Sequence, residues 1–241
     1  MSKTFVSGGG DKVKLYVALL PLGDRTEPKD AVLETASAVA AGATTIPLDN
    51  ALAVSIAAGT PLTFVGTSGA KTTVYLTKDA KVGANQIFVE IVLLPIAIGA
   101  AANYTAKLRL LGGTQMSVQT NAQRAETMVF EDSLGYGDGV ITKQSWQIPW
   151  TANLLADDEA YQRVYFANIT AVSGREVFVW QQDPPPAGYA TGDGLKGTCV
   201  VSNFTKQMNA DGIVTFNCEF MGQGAPTIAR HALSLPSSYS D

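Results

Sequence analysis

Apolar and polar positions alternate at the start of the readable pattern. Across residues 12–22, Val13, Leu15, Val17 and Leu19 are separated by Lys14, Tyr16 and Ala18, the two-residue period of a strand. Pro21 and Gly23 end it, and 25–30 is a polar linker. The same period returns further on with a different chemistry. Gln115, Ser117, Gln119, Asn121 and Gln123 take every second position, with Met116, Val118, Thr120 and Ala122 between them. That predicts a strand with one face of uncharged polar groups, mostly amides, and one mixed face. Residues 127–131 extend it, and 132–139, with three glycines, reads as a loop. A second strand follows over 140–150, carrying Trp146, Ile148 and Trp150 on one face.

A helical period replaces the strand period once. Tyr161, Val164 and Tyr165 form an i, i+3, i+4 stripe. Asp157 is the expected N-cap, with Asp158 and Glu159 in the first turn near the positive helix end. The helix is expected over 157–168. The last third returns to strands at 175–181, 198–206 and 213–221. Residues 183–194 form a Pro/Gly loop, and Asp211-Gly212 is a hairpin signal. In the final strand Val214, Phe216, Cys218 and Phe220 share one face, and the hairpin is expected to bring Cys199 near Cys218 as core-facing free thiols. The tail after Gly222 is polar and reads as extended.

Residues 31–105 differ in texture: rich in Ala, Thr, Val and Ile, and nearly free of aromatics. Ala41-Gly42-Ala43-Thr44-Thr45-Ile46 resembles Val82-Gly83-Ala84-Asn85-Gln86-Ile87, and Ser55-Ile56-Ala57-Ala58-Gly59 resembles Pro95-Ile96-Ala97-Ile98-Gly99. The period is roughly 41 residues with one gap, as two similar β units packed together would give. Coincidence in an Ala/Gly-rich stretch is the equal alternative. Strands are expected at 61–65 and 72–76. The expected organisation is a discontinuous β domain, 1–30 and 106–241, interrupted by a small β insert, 31–105. A further short strand is expected at 107–111.

Composition narrows the function. Hydrophobic residues make up 46% of the 241 positions and charged ones 16%, below the roughly 25% charged usual for soluble chains. Few charges keep such a surface monomeric, so an assembled protein is expected. The net charge of −4 comes without a basic run, which argues against a surface that grips nucleic-acid phosphates. The most apolar run, 91–102, is broken by Pro95 and Gly99 and falls short of the roughly 20 residues that span a bilayer. Residues 1–12 are polar and Gly-rich, so the expectation is a soluble protein made in a reducing cytoplasm.

Candidate chemistry is thin. Gly192-Asp193-Gly194-Leu195-Lys196-Gly197 has dinucleotide-loop spacing but lacks a helix after it, and reads as a loop. Asn209-Ala210-Asp211-Gly212 lacks the outer ligands of a calcium loop. His231, the single histidine, sits in the tail, and no Gly-x-Ser-x-Gly elbow is present. One His and two separated Cys do not make a structural zinc site. Asn103, Asn168 and Asn203 lie in Asn-x-Thr sequons, which mean nothing without a secretory signal. No catalytic residue, cofactor or metal is expected.

The order of features over 146–227 resembles the major tail tube proteins of tailed bacteriophages. It runs from Trp146-Gln147-Ile148-Pro149-Trp150 through Asp157-Asp158-Glu159-Ala160-Tyr161 and the strand from Gly174 to Trp180. Gly188-Tyr189 and the strand from Gly197 to Phe204 follow, then the hydrophobic run 212–220 closed by Gly222-Gln223-Gly224. The resemblance covers 12–23 and 107–227 and rests on the order of loose motifs. Residues 31–105 depart from the minimal pattern and resemble the small β inserts of phage structural proteins.

The resemblance implies a mainly β fold, a tail-tube-like sandwich or rolled sheet flanked by one α-helix, whose copies form rings, typically of six, stacked into a hollow tube. Strands pairing edge to edge would line a channel for DNA ejection. Implied partners are the chain itself, a tape-measure protein and transiting double-stranded DNA, with a sheath and tail-tip or terminator proteins around them, and no membrane. The implied location is the virion tail, after synthesis in a bacterial host cytoplasm. The row Gln115, Ser117, Gln119, Asn121 and Gln123 suits a channel wall, since amides stay wet without holding phosphate tightly. Glu131, Asp132, Tyr136 and Asp138 are the candidate inter-ring loop, and the insert is expected on the outside. The rival readings are a capsid-decoration or adhesion protein with an Ig-like or lectin-like β domain, a bacterial secretion tube subunit, and a carboxylate-dependent glycan hydrolase.

Overall fold

The computed structural model of this chain describes residues 13–127, 138–155, 158–171, 174–186, 189, 192–208 and 212–230. The fold is mainly β, with one helix among the described residues. Its largest sheet is antiparallel and curled. From one edge it runs through β10 (Gln119–Thr127), β11 (Asp138–Asn153), β14 (Val214–Gly222), β13 (Gly194–Met208), β12 (Val177–Gln182), β1 (Lys14–Leu19) and β8 (Leu108–Arg109). β9 (Gly113–Met116) adds to β11, and β15 (Thr227–Ala229) adds to β13. Part of the tail after Gly222, Thr227–Ala229, is therefore a strand. Among the described residues no helix is long and apolar enough to cross a membrane.

The alternation read along β1 and β11 fixes which face is core. Leu15, Val17 and Leu19 are buried together with Trp146, Ile148, Trp150, Val177, Val179, Phe216 and Phe220. Trp146 explains the Gly-x-Gly ending of β14. Its ring fills the space a side chain at Gly222 would need, and its Nε1–H donates to the Gly224 carbonyl at 2.8 Å. The other face of β1 and β12 holds a smaller buried set, Ala18, Leu20, Phe178 and Trp180.

Helix α1 (Glu159–Ile169) closes the main core through Ala160, Val164 and Ala167. Its N-cap is Asp158, not the expected Asp157, which lies outside the described residues. The Asp158 carboxylate accepts from the Ala160 N–H at 3.0 Å and from the Leu111 N–H at 3.0 Å. One side chain thus starts the helix and ties it to the end of β8.

Two further sequence expectations fail. Gly194 to Gly197, read as loop, are inside β13 and pair with β12. The glycines are there for backbone approach: a Cβ at Gly194 would collide with the Gln181 carbonyl, and one at Gly197 with the Trp146 ring. Cys199 and Cys218 are both buried and free, but they are not neighbours across the hairpin. Cys199 lies opposite Gly222, and Cys218 lies opposite Trp150 of β11.

Residues 31–105 contain β2 (Ala31–Glu34), β3 (Thr45–Pro47), β4 (Pro61–Val65), β5 (Lys71–Tyr75), β6 (Gln86–Phe88) and β7 (Ala101–Tyr104). The sequence repeat is a structural one. β3 pairs with β6 about Ile46 opposite Ile87, the two equivalent positions of the repeat. β2 pairs with β7, and β4 pairs with β5. Backbone bonds also occur in equivalent pairs. Val39 N donates to Ile96 O and Ala80 N to Ile56 O, each at 2.8 Å. Gly42 N donates to Val92 O and Gly83 N to Leu52 O, each at 2.8 Å. Each half of the repeat completes backbone hydrogen bonds on the other, so the two halves form one hydrogen-bonded unit. The product is a second apolar cluster containing Ile46, Ile56, Leu62, Phe64, Ile87 and Ile96.

The chain enters and leaves this unit at one place: Asp30 accepts from the Ala106 N–H at 2.8 Å. The entry linker is pinned to the main sheet by Arg25, which grips Glu176 through two nitrogens. It is pinned again by Glu27, which accepts from Trp180 Nε1 at 2.8 Å and pairs with Lys196. Arg163 of α1 donates to the Ala106 and Thr105 carbonyls.

A candidate assembly surface

The candidate surface is built on β11, which is longer than the core it covers. Trp146, Ile148, Trp150 and Ala152 are buried, whereas Ile141 to Ser145 are exposed on both faces of the strand. β10 pairs along this overhanging part, and Gln119 to Gln123 are likewise exposed on both faces. β10 is an edge strand. Over residues 119–123 and 141–145 the pair is therefore an arm exposed on both faces, with β10 at the sheet's edge among the described residues, a form only marginally stable in isolation.

The five-residue polar row is brought together but not as one unbroken strand. Gln115 is in β9, opposite Thr151, and Gln119, Asn121 and Gln123 are in β10, opposite Gln147, Ser145 and Lys143. Ser117 and Val118 lie between the two strands, although the register on either side is continuous. Following that register, Ser117 falls opposite Pro149, whose ring nitrogen has no proton to give a ladder. Proline was visible in the sequence, and its effect on the neighbouring strand is the missed signal. Gln115, Ser117, Gln119, Asn121 and Gln123 are all exposed.

The row faces away from Trp146, Ile148 and Trp150, because paired residues share a face. The same face continues through Ser145, Gln147 and Thr151 of β11, Thr215 and Asn217 of β14, and Thr205 and Gln207 of β13. Across these positions the charged side chains are Lys143 and Glu219 alone, and Glu219 accepts from Asn203 at 2.6 Å. Gln147 Nε2 donates to Gln119 Oε1 at 2.9 Å, an amide-to-amide contact across the β10–β11 pair. The breadth of this face was not legible, because it depends on the bulge between Ser202 and Thr205 that restores β13 to register with β14.

Of the candidate inter-ring residues, Glu131, Asp132 and Tyr136 lie outside the described residues. Asp138 begins β11, opposite Thr127, rather than sitting in a loop. His231 also lies outside. Both thiols are sealed away: burial pushes Cys199 well above the ordinary thiol range and Cys218 up to about 12.

No family model matches this chain, and no curated protein does. Solved structures that match part of it include two. One is described as the tail of an empty gene transfer agent (GTA) particle with C6 symmetry. It is 11% identical, with a TM-score of 0.42, over 52% of this chain and 87% of that one. The other is described as the virion of a native gene transfer agent particle. It is 13% identical, with a TM-score of 0.41, over 49% of this chain and 85% of that one.

Proposed function

We propose that this chain is the structural subunit of a phage tail tube. Copies assemble as stacked rings, six to a ring, around a channel for double-stranded DNA, and a tape-measure protein fills the channel before ejection. The order of features over 146–227 supports the reading. The observation that carries it is the β10–β11 arm, whose wet faces and free edge gain their missing partners when a neighbouring subunit pairs with them. In that ring Gln115, Ser117, Gln119, Asn121 and Gln123 line the channel, where uncharged amides let phosphates slide. The segment holding Glu131, Asp132 and Tyr136 contacts the next ring. Residues 31–105 form a separable inserted domain on the outer wall, which fits its entry and exit at Asp30 and Ala106. The chain acts in the virion tail and has no catalytic role.

Negative-stain imaging of the concentrated protein tests this. Six-fold rings or hollow tubes are expected, and replacing Ala122, whose N–H faces away from β11, by proline, which blocks edge pairing, should abolish them while leaving a folded monomer. Tubes that form normally from Ala122→Pro would overturn the arm's role. Dispersed monomers at every salt and concentration would overturn the tube.

A further inference from the structure

The face of β1 and β12 that turns away from the main core gathers cations in one place. Arg109 of β8, Tyr16 of β1, Trp180 of β12 and Lys196 of β13 stand opposite one another in a single row across four strands. Lys107 lies over the row, its Nζ 4.5 Å from the centre of the Tyr16 ring and 5.7 Å from that of Trp180. Arg230, just after β15, joins Lys107 and Lys196 in the wall of one pocket. A carboxylate already sits in this group: Glu27 accepts from Lys196 Nζ at 2.6 Å and from Trp180 Nε1 at 2.8 Å. Asp183, just after β12, takes Gln181 at 2.6 Å. Lys107, Arg109 and Arg230 are exposed and form no ion pair among the described residues.

The opposite charge is gathered at the ends of β10 and β11 and in the sequence between them. From Ala125 to Thr142 the chain carries Glu126, Glu131, Asp132 and Asp138 and no Lys or Arg. Glu126 stands opposite Gly139 and Asp138 opposite Thr127, at the end of the β10–β11 pair farthest from Trp146. Glu131 and Asp132 lie outside the described residues. The basic band and the acidic strand ends belong to opposite ends of the sheet order, β8 and β1 at one and β11 and β10 at the other.

We infer that the band of Lys107, Arg109 and Arg230 receives the acidic end of the β10–β11 pair, at Glu126 and Asp138, from a second copy of this chain. Charge complementarity selects that occupant. A band of like charges without counter-charges repels itself, and a carboxylate partner relieves the repulsion. Glu27 shows that chemistry in place. Burial works to raise its carboxyl, yet hydrogen bonds from Lys196 and Trp180 and the charges of Lys196 and Lys107 hold it below its ordinary value. A nucleic-acid strand fits less well. Strand-binding surfaces join cations to aromatic rings on which bases stack, and here Trp180 is 7% exposed and Lys107 already lies over both rings. The inference rests on the reading that copies of the chain associate, and not on the channel. Exposed charge pairs of this kind set register and rate of encounter more than raw affinity, and salt screens them.

The test uses the full chain as Arg109→Glu/Arg230→Glu, as Glu126→Lys/Asp138→Lys, and with all four changes together. Sedimentation at low salt should show self-association weakened roughly tenfold by either double reversal and largely restored by the quadruple variant, with unchanged circular dichroism spectra. Arg109→Gln/Arg230→Gln, which removes the charge without reversing it, should give an intermediate loss. Raising the salt toward 1 M, where screening acts within about 3 Å, should weaken the wild-type chain and leave the double reversals as they were. A double reversal that associates like wild type, or a quadruple variant no better than the doubles, would overturn the inference. Retention of duplex DNA that Arg109→Glu/Arg230→Glu abolishes, with self-association unchanged, would assign the cations to nucleic acid and overturn it equally. Tubes formed by Arg109→Glu/Arg230→Glu at wild-type yield would sink this inference and leave the tube standing. Association restored by the quadruple variant, but as closed pairs in place of rings, would do the reverse.

Discussion

The two halves of residues 31–105 share equivalent backbone hydrogen bonds and differ in what they touch. At matching positions the first half has Ala38 and the second Asp79, the first Ala58 and the second Ile98. Asp79 does not serve its own half. It accepts from the Leu22 N–H at 2.8 Å, the Ala58 N–H at 2.7 Å and Arg175 at 2.7 Å. So one carboxylate of the second half, together with small residues of the first, locks the insert to the main sheet. The lesson is that a duplicated unit can keep its internal hydrogen bonds while its two outer ends diverge, one to a polar latch over small residues and one to bulky apolar residues.

The largest way to break this asymmetry is Asp79→Ala, which gives the second half the residue found in the first. Arg175 is nearly buried and keeps only the Leu20 carbonyl and the Phe166 ring, so the change should destabilise by about 3 to 5 kcal/mol, the range for an orphaned buried partner. Thermal unfolding measures it, and Ala38→Asp, at an exposed site in the equivalent position, should show no comparable loss. Gly59→Ala and Gly99→Ala form the next pair. Both glycines have left-handed backbones, φ 81° and 68°, so each alanine costs about 1 to 2 kcal/mol. Gly59→Ala adds a clash with Phe166 worth about 1 to 3 kcal/mol more. Equal losses at the two glycines would mean that the first half is not seated on α1.

Much of this architecture was legible in the sequence. The β4 and β5 runs, the Trp146, Ile148 and Trp150 face and the helix are all visible as periods, because each buries one face and the burial imposes the pattern. The repeat was visible at Gly42 and Gly83 and at Gly59 and Gly99, where the chain needs positive φ. What escaped depends on partners far away in the chain. Gly194 and Gly197 look like loop residues until the Gln181 carbonyl and the Trp146 ring are seen beside them. The break at Ser117 requires knowing that Pro149 lies opposite. Asp79 reads as a surface residue between Lys78 and Ala80, and nothing nearby announces Arg175. The polar row was legible as a row, but the four-strand face it belongs to is a property of register.

A smaller effect follows from acid. Burial works to raise the Asp79 carboxyl, but the Ala58 and Leu22 N–H groups and Arg175 outweigh it, and the group sits below its ordinary value. A carboxyl depressed in the folded state contributes stability that is complete above the unfolded value of about 4 and is lost as pH falls through the folded value. Melting temperature should therefore decline below about pH 4, and Asp79→Ala should decline less steeply. Some slope should remain in the variant. Thr26 hydrogen bonds depress Asp24, and Lys196 and Trp180 depress Glu27 against its burial. An unchanged slope would remove Asp79 from the set of groups that titrate on unfolding.

The finest distinction can be read without perturbing stability, through thiol accessibility. Both natural cysteines are buried with raised pKa values, Cys218 to about 12, so the native chain should react slowly with a thiol reagent near pH 8. That silent background allows a cysteine to be placed at each of the matching positions. Ile98→Cys should label rapidly in dilute protein, and Ala58→Cys should label at the slow rate of the natural thiols. Equal labelling at the two positions in dilute protein would erase the difference between the ends.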